Sequence, residues 1–258
     1  MIDSTAREEK TAARRFFHVC RKRMQMVRKT AAYIDGYNLY YGCLRGTSFK
    51  WLDVVALFER LLHAQDPAAT LEQVRYFTAP ALGRFATHGD ASVLAQQDYH
   101  RALQSLYPGR LTMTFGNHSI DRSGTWLPEY VAGQPYNRQR RVQVWKIEEK
   151  QTDVNLALSM YRDAASGSYR QLVVCTNDSD LAPALQAIRE DFPAMRLGVV
   201  TPRRPPLDAR PPLRTVSAVL GERADWTIRQ LLDADLAATQ LPERVRTLKR
   251  PVRKPAHW

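Results

Sequence analysis

Cysteine is scarce in this chain of 258 residues. The three present, Cys20, Cys43 and Cys175, are odd in number and far apart, with no Cys-x-x-Cys pair. That argues against a disulfide framework or a cysteine-built zinc site and fits a reducing, cytoplasmic setting. The six histidines are dispersed and form no His-Glu-x-x-His, so they read as surface or core residues rather than ligands. No uninterrupted apolar stretch approaches the ~18 residues that span a bilayer, so no membrane partner is expected. The opening Met1-Ile2-Asp3-Ser4 lacks the basic-then-apolar layout of a secretory signal, and Met26 is a candidate internal start. Also missing are the phosphate-cradling Gly-x-x-x-x-Gly-Lys-Ser/Thr, a Gly-x-Gly-x-x-Gly after a strand, the Gly-x-Ser-x-Gly elbow, and any internal repeat.

Acids are outnumbered, but only locally. The formal charge is +12. Residues 1–29 hold nine Lys/Arg against three acids, and residues 241–258 hold six against one. The body between them is almost neutral. The expected organisation is a basic arm over 1–29, one domain over 30–240 and a basic tail over 241–258. Basic arms on a neutral body suit a polyanion, because each cation laid on a phosphate releases a counterion; solvated tails are the alternative.

Along the body, short β-branched runs alternate with helical periodicity. Strands are expected at Ala31–Ile34, Val74–Thr78, Leu111–Phe115, Leu172–Cys175 and Leu197–Val200. Helices are expected over Trp51–Leu62, Ser92–Tyr107, from Thr152 or Asp153 to Ala164, and from Leu181 to Glu190. On the second of these, Val93, Leu94, Leu103, Leu106 and Tyr107 form the expected buried stripe. A last helix is expected over Ala224–Ala237. Strand–helix–strand alternation implies right-handed crossovers and a mainly parallel sheet, hence an α/β fold.

Three segments end in acids at strand exits or helix starts: Asp35, Asp153, and the pair Asp178 and Asp180. Each alone reads as a turn or a helix cap. Together, on the carboxyl edge of one parallel sheet, they converge where such sheets place ligands. Clustered carboxylates repel unless a cation sits among them, and all-oxygen donors suit Mg²⁺ or Mn²⁺. Such an ion lowers the pKa of a bound water and steadies charge on a phosphoryl oxygen. Tyr136, Arg138, Arg140, Arg141 and Trp145 interleave cations with aromatics, as a nucleic-acid surface does, or form a solvated edge hairpin. Arg203 and Arg204 lie in a Pro/Arg-rich loop, Thr201 to Pro212, read as a substrate-facing lip or an inert linker.

Asp35-Gly36-Tyr37-Asn38-Leu39, Glu149-Lys150-Gln151-Thr152-Asp153-Val154-Asn155-Leu156 and Thr176-Asn177-Asp178-Ser179-Asp180-Leu181 resemble the NYN domain, the LabA-like branch of the PIN-like nucleases. The resemblance covers about Thr30 to Leu236, with Leu220-x4-Asp225 similar to the family's closing helix. It implies a three-layer, PIN-like α/β/α fold and Mg²⁺- or Mn²⁺-dependent ribonuclease activity. The expected reaction is endonucleolytic, with the arms and residues 136–145 holding single-stranded RNA, whose bases are free to stack. Asp35, Asp153, Asp178 and Asp180 match the acidic centre. Asn38 matches an asparagine that orients a ligand or substrate, and Lys150 matches a basic position beside the scissile phosphate. Relatives often carry a small residue and glycine where Thr176-Asn177 stand, and glycine-type residues near Gln151-Thr152. Those departures bear on loop shape. A non-catalytic RNA-binding module and a flap-type DNA nuclease are the alternatives, and the oligomeric state, a homodimer included, stays open.

Overall fold

The computed structural model describes residues 27–205 and 216–258. The basic arm up to residue 26, with Met26, and the lip from residue 206 onward lie outside the described residues.

The centre of the sheet is β1 (Arg28–Asp35), whose Ala31 to Asp35 are all buried. Its alternation of side chains divides the protein in two. Ala32 and Ile34 face one apolar core, and Ala31 and Tyr33 face the other. A strand buried on both faces reads as a continuous apolar run, the mark of a parallel sheet covered by helices. The six strands run in the order β10-β9-β8-β1-β2-β3, and every pairing is parallel. Here β2 is Ala69–Thr78, β3 Leu111–Phe115, β8 Gln171–Cys175, β9 Arg196–Val200 and β10 Trp226–Ile228.

After β1 come a four-residue helix α1 (Gly36–Leu39) and a π turn at Tyr40–Leu44. One face of the sheet is covered by α2 (Val54–Gln65) and α3 (Asp90–Leu106), the other by α4 (Thr152–Ser166) and α5 (Ala182–Asp191). The three-layer α/β/α expectation is met. On α4, Leu156, Met160 and Ala164 recur at helical spacing and are buried. On α3 the buried stripe is Ala95, Tyr99, His100, Ala102 and Leu103, whereas Leu94 is 61% exposed. The bulky aliphatics at 93, 94 and 106 lie off that stripe. The sheet instead accepts the face whose alanines let the helix come close.

The expected helix over Ala224–Ala237 is not formed. Trp226–Ile228 is the edge strand β10, with Trp226 in register with Gly198. Its indole lies where any side chain on Gly198 would stand, and Trp226 Nε1 donates to Gln171 Oε1 at 3.1 Å. Asp225 holds the start of this strand by accepting from Leu197 N at 2.7 Å. Two short helices, α6 (Ala218–Glu222) and α7 (Asp233–Ala238), flank it. An open sheet edge thus outweighs a weak helical period.

Between β3 and α4 the chain builds an arm of two nested antiparallel ribbons. β4 (Asn117–Ile120) pairs with β7 (Ile147–Lys150), and β5 (Thr125–Pro128) pairs with β6 (Arg141–Val144). The segment 241–258, expected as a basic tail, packs back onto the body. Its two-stranded ribbon, β11 (Arg244–Val245) with β12 (Val252–Arg253), buries Val245 and Val252 in the core beneath α2 and α3. Trp258 sits 6.0 Å from Trp51 and 5.5 Å from Tyr99 between ring centroids.

From β1 the chain moves outward through β2 and β3, then returns beside β1 as β8 and leaves the other way. The crevice at the carboxyl ends of β1 and β8 is therefore a topological switch point, where open α/β sheets bind ligands.

Candidate functional site

Ile34 stands in register with Cys175, so the residues that follow them leave the sheet side by side. Asp35 Oδ2 accepts from Thr176 Oγ1 at 3.0 Å and from Asn38 Nδ2 at 2.6 Å, and Oδ1 accepts from Asn38 N at 2.9 Å. Asp35 thus caps α1 and is only 3% exposed. Burial pushes its carboxyl above the ordinary range, the three hydrogen bonds pull it back, and Asp178 adds to the rise. Asn38 thus holds both oxygens of the Asp35 carboxylate, through its backbone and its side-chain amide.

Thr176 Oγ1 also accepts from Asp178 N at 3.1 Å, and Asp178 Oδ1 accepts from Asp180 N at 3.0 Å. Asp178 therefore caps the short turn Ser179–Leu181 and still stands at the rim of the crevice, with Asp180 exposed beside it. Asp153 comes from the first turn of α4. Its side chain reaches solvent on one side, yet partial burial, then Asp35, Asp178 and Asp180, raise its carboxyl to about 6. Three aspartates thus act on Asp153, and one of them, Asp178, acts on Asp35 as well.

Neither Thr152 nor Asp153 caps α4. That position belongs to Gln151, the only non-glycine described residue with positive φ, at 77°. The left-handed region costs a side chain about 1–2 kcal/mol, and Gln151 is held there by a bond from Asn117 Nδ2 to its Oε1 at 2.9 Å. Thr152 Oγ1 instead donates to Glu149. Glu149 is a fifth carboxylate of the crevice that the motif reading quoted without assigning. Burial raises its pKa, the Thr152 bond lowers it, and Asp35 and Asp153 raise it further.

The alternation of β7 explains both Glu149 and the fate of Lys150. Successive side chains on a strand point to opposite faces. Glu149 faces the acids, while Lys150 shares the other face with Glu148 and bonds it at 2.8 Å. Lys150, expected beside the scissile phosphate, is thus engaged in an exposed ion pair. The signal that could have singled out Glu149 was this two-residue period next to a helix start.

Among the described residues, no three Asp, Glu, His or Cys side chains converge tightly enough to chelate one ion between them. The donors are nonetheless oxygens alone, mutually repelling and open to solvent at Asp180. Mg²⁺ commonly keeps several waters and uses one or two carboxylates, so these residues fit a water-rich divalent site rather than a closed cage.

The residues expected to hold nucleic acid are scattered. Tyr136 and Arg138 are exposed near the tip of the arm. Arg140 pairs with Glu129 at 2.8 Å, and Arg141 donates to the Trp126 carbonyl. Arg204 makes a two-pronged bond to Asp233, at 2.6 and 2.5 Å, and lies over Phe49. Its guanidinium is spent on joining the β9 exit to α7. Arg203 contributes its backbone, with its carbonyl accepting from Leu231 N at 2.7 Å. Trp145 is separate from these and returns to the body, where it meets Arg84 and Phe85.

The NYN domain family model matches residues 29–192, a span that includes all five carboxylates. The 6-hydroxy-3-succinoylpyridine 3-monooxygenase HspA of Pseudomonas putida is 40% identical over 244 residues, covering 89% of this chain and 75% of that protein. The crystal structure of a protein of unknown function from Vibrio parahaemolyticus is similar at 14% identity and a TM-score of 0.46, over 84% of this chain and 98% of that one. The fold assignment rests on the strand pairings themselves.

Proposed function

This chain belongs to the NYN domain family, and from that premise we propose that it is a Mg²⁺- or Mn²⁺-dependent endoribonuclease hydrolysing RNA phosphodiesters at the β1/β8 crevice. One observation carries the reading: Thr176 joins Asp35, at the exit of β1, to the Asp178 loop at the exit of β8, and Asp35, Asp178 and Asp180 together act on Asp153. Carboxylates gathered at a switch-point crevice suit a divalent ion.

One or two of Asp35, Asp153 and Asp178 would hold the ion directly, and the others, with Asp180, would reach it through its bound waters. When bound, the ion supplies an acidified water and neutralises charge on the phosphoryl oxygens. The protein's own groups do the rest. Asn38 and Thr176 fix the Asp35 carboxylate by hydrogen bonds, so it needs no rearrangement to act. Glu149, with its raised pKa and its anchor to Thr152, is the group suited to take the proton of the attacking water. Exposed Asp180 leaves that side of the crevice open to a long substrate.

The test is incubation of labelled RNA with Mn²⁺, beside EDTA and Asp178→Asn controls. Cleavage that EDTA and the substitution both abolish is expected. Cleavage unchanged in the variant would sink the assignment.

A second reading is favoured by the 40% identity to the named monooxygenase: oxygenation of a hydroxylated pyridine. It would require an electron donor and O₂, the kind of chemistry a cofactor carries. Oxygen uptake with 6-hydroxy-3-succinoylpyridine and a reduced nicotinamide, together with no RNA cleavage under any divalent ion, would favour it over the nuclease.

A further inference from the structure

The acids do not stand alone on the carboxyl edge. A file of aromatic rings passes beside them. Tyr41 lies 5.7 Å from Tyr37, and Tyr37 lies 6.1 Å from His118, between ring centroids. His118 stands directly opposite Glu149 in the β4/β7 ribbon, which fixes this part of the file against the crevice. It is anchored there through Nε2, 2.9 Å from the Pro80 carbonyl. Beyond His118 the ribbon leads to Ile120, two residues or about 7 Å along. Ile120 lines a cavity of about 460 Å³ formed with the Leu82–Phe85 loop, Arg122 and Trp145. Phe85 and Trp145 lie 6.5 Å apart there.

Each end of the file carries an arginine. Arg45 lies over Tyr41 at 5.5 Å, and Arg84 lies over Trp145 at 5.0 Å. Among the described residues, neither Arg45, Arg84 nor Arg122 is in an ion pair with a carboxylate. Tyr41 is 50% exposed and Trp145 53%, so both side chains reach solvent.

We propose that this file is the track of an unpaired RNA strand, with bases stacked on Tyr41 at one end and in the Phe85–Trp145 cavity at the other, so that the phosphates between them cross the carboxylates. The inference deepens the ribonuclease reading above and rests on it. Flat rings take any base by stacking, and a guanidinium adds both a stacking plane and a charge for the phosphate. A duplex keeps its bases inside and could not use the rings. The track also differs from the basic stretch 136–141, whose Arg140 and Arg141 are engaged within the arm.

The experiment reads binding in EDTA, where no cleavage is expected, using the whole chain and a fluorescent 12-nucleotide RNA. Its arms are the single strand, the same strand annealed to its complement, and a strand with abasic positions that keep the phosphates. The single strand should bind tighter than either. Tyr41→Ala and Trp145→Ala should each weaken it by roughly 5- to 100-fold, the measured range for losing one base–aromatic stack, and should leave the abasic strand unchanged. Tyr41→Phe and Trp145→Phe, which keep a ring, should restore binding, while the unchanged hold of the alanine variants on the abasic strand shows that they fold. Unchanged affinity in both alanine variants, or equal binding of abasic and intact strands, overturns the track. Tight, ring-dependent binding without cleavage in Mg²⁺ or Mn²⁺ supports the track while removing the nuclease; cleavage with no effect of either ring does the reverse.

Discussion

The Thr176 hydroxyl gives its proton to Asp35 Oδ2 at 3.0 Å and takes one from Asp178 N at 3.1 Å. One side chain thereby ties the exits of β1 and β8 and sets the spacing of two candidate ion ligands. Replacing it with valine keeps the volume and removes both bonds. A buried carboxylate left short of a donor costs about 1–3 kcal/mol. Urea denaturation of Thr176→Val should show that loss, and Thr176→Ser should recover most of it.

Asp35 and Asp153 both raise Glu149, and charge repulsion is mutual, so Glu149→Gln should relieve them in turn. The Asp153 carboxyl should then titrate lower, as followed by carbon NMR of the labelled side chain. Cleavage should fall by about 10²–10⁴-fold, the usual contribution of a positioned proton acceptor. A decline of less than threefold would assign Glu149 to packing alone.

Asp153, at about 6, Asp35 and Glu149 all have folded pKa values above their ordinary range. Such groups contribute stability that is complete below their unfolded values and is lost as pH rises through the folded ones. Asp225 and Asp233 are shifted down, Asp225 by its Leu197 and Arg189 bonds against burial and Asp233 chiefly by Arg204, so their contribution is lost as pH falls. Metal-free protein should therefore melt at its highest temperature between the ordinary carboxylate range and about 6, and lower at pH 7.5. Mn²⁺ should raise the melting temperature at pH 7.5, and Asp153→Asn should flatten the decline. A melting temperature that climbs steadily to pH 7.5 in EDTA would contradict the carboxylate arrangement.

Lys150 pairs with Glu148 in solvent, away from Glu149. Exposed pairs contribute about 0–1 kcal/mol. Lys150→Ala should change neither stability by more than that nor RNA cleavage by more than a few-fold, in contrast to Asp178→Asn. A loss comparable to Asp178→Asn would return Lys150 to the reacting phosphate.

The strands at residues 31–34, 172–175 and 197–200 were legible because a sheet covered on both faces requires uninterrupted apolar runs, and the edge strand at 111–115 because its apolar residues alternate with threonines. The acids at 35, 153, 178 and 180 were legible because each follows a strand or opens a helix, whatever surrounds it. Glu149 was not, since its role depends on which face of β7 turns inward, and one step of register separates it from Lys150. The fates of Trp226, drawn to a sheet edge, and of Arg204, drawn to Asp233, depend on partners 28 and 29 residues away. So does the folding of 241–258 onto Trp51, which composition alone reads as a tail.

By itself, then, the order of residues determined the alternation of strands and helices and the positions of the aspartates, because both follow from local periodicity and local charge. Only the tertiary structure decided which carboxylates meet, which cations are already engaged, and which aromatic rings line up beside them. Those outcomes depend on packing between segments far apart in the chain, and no local pattern encodes the distance between them.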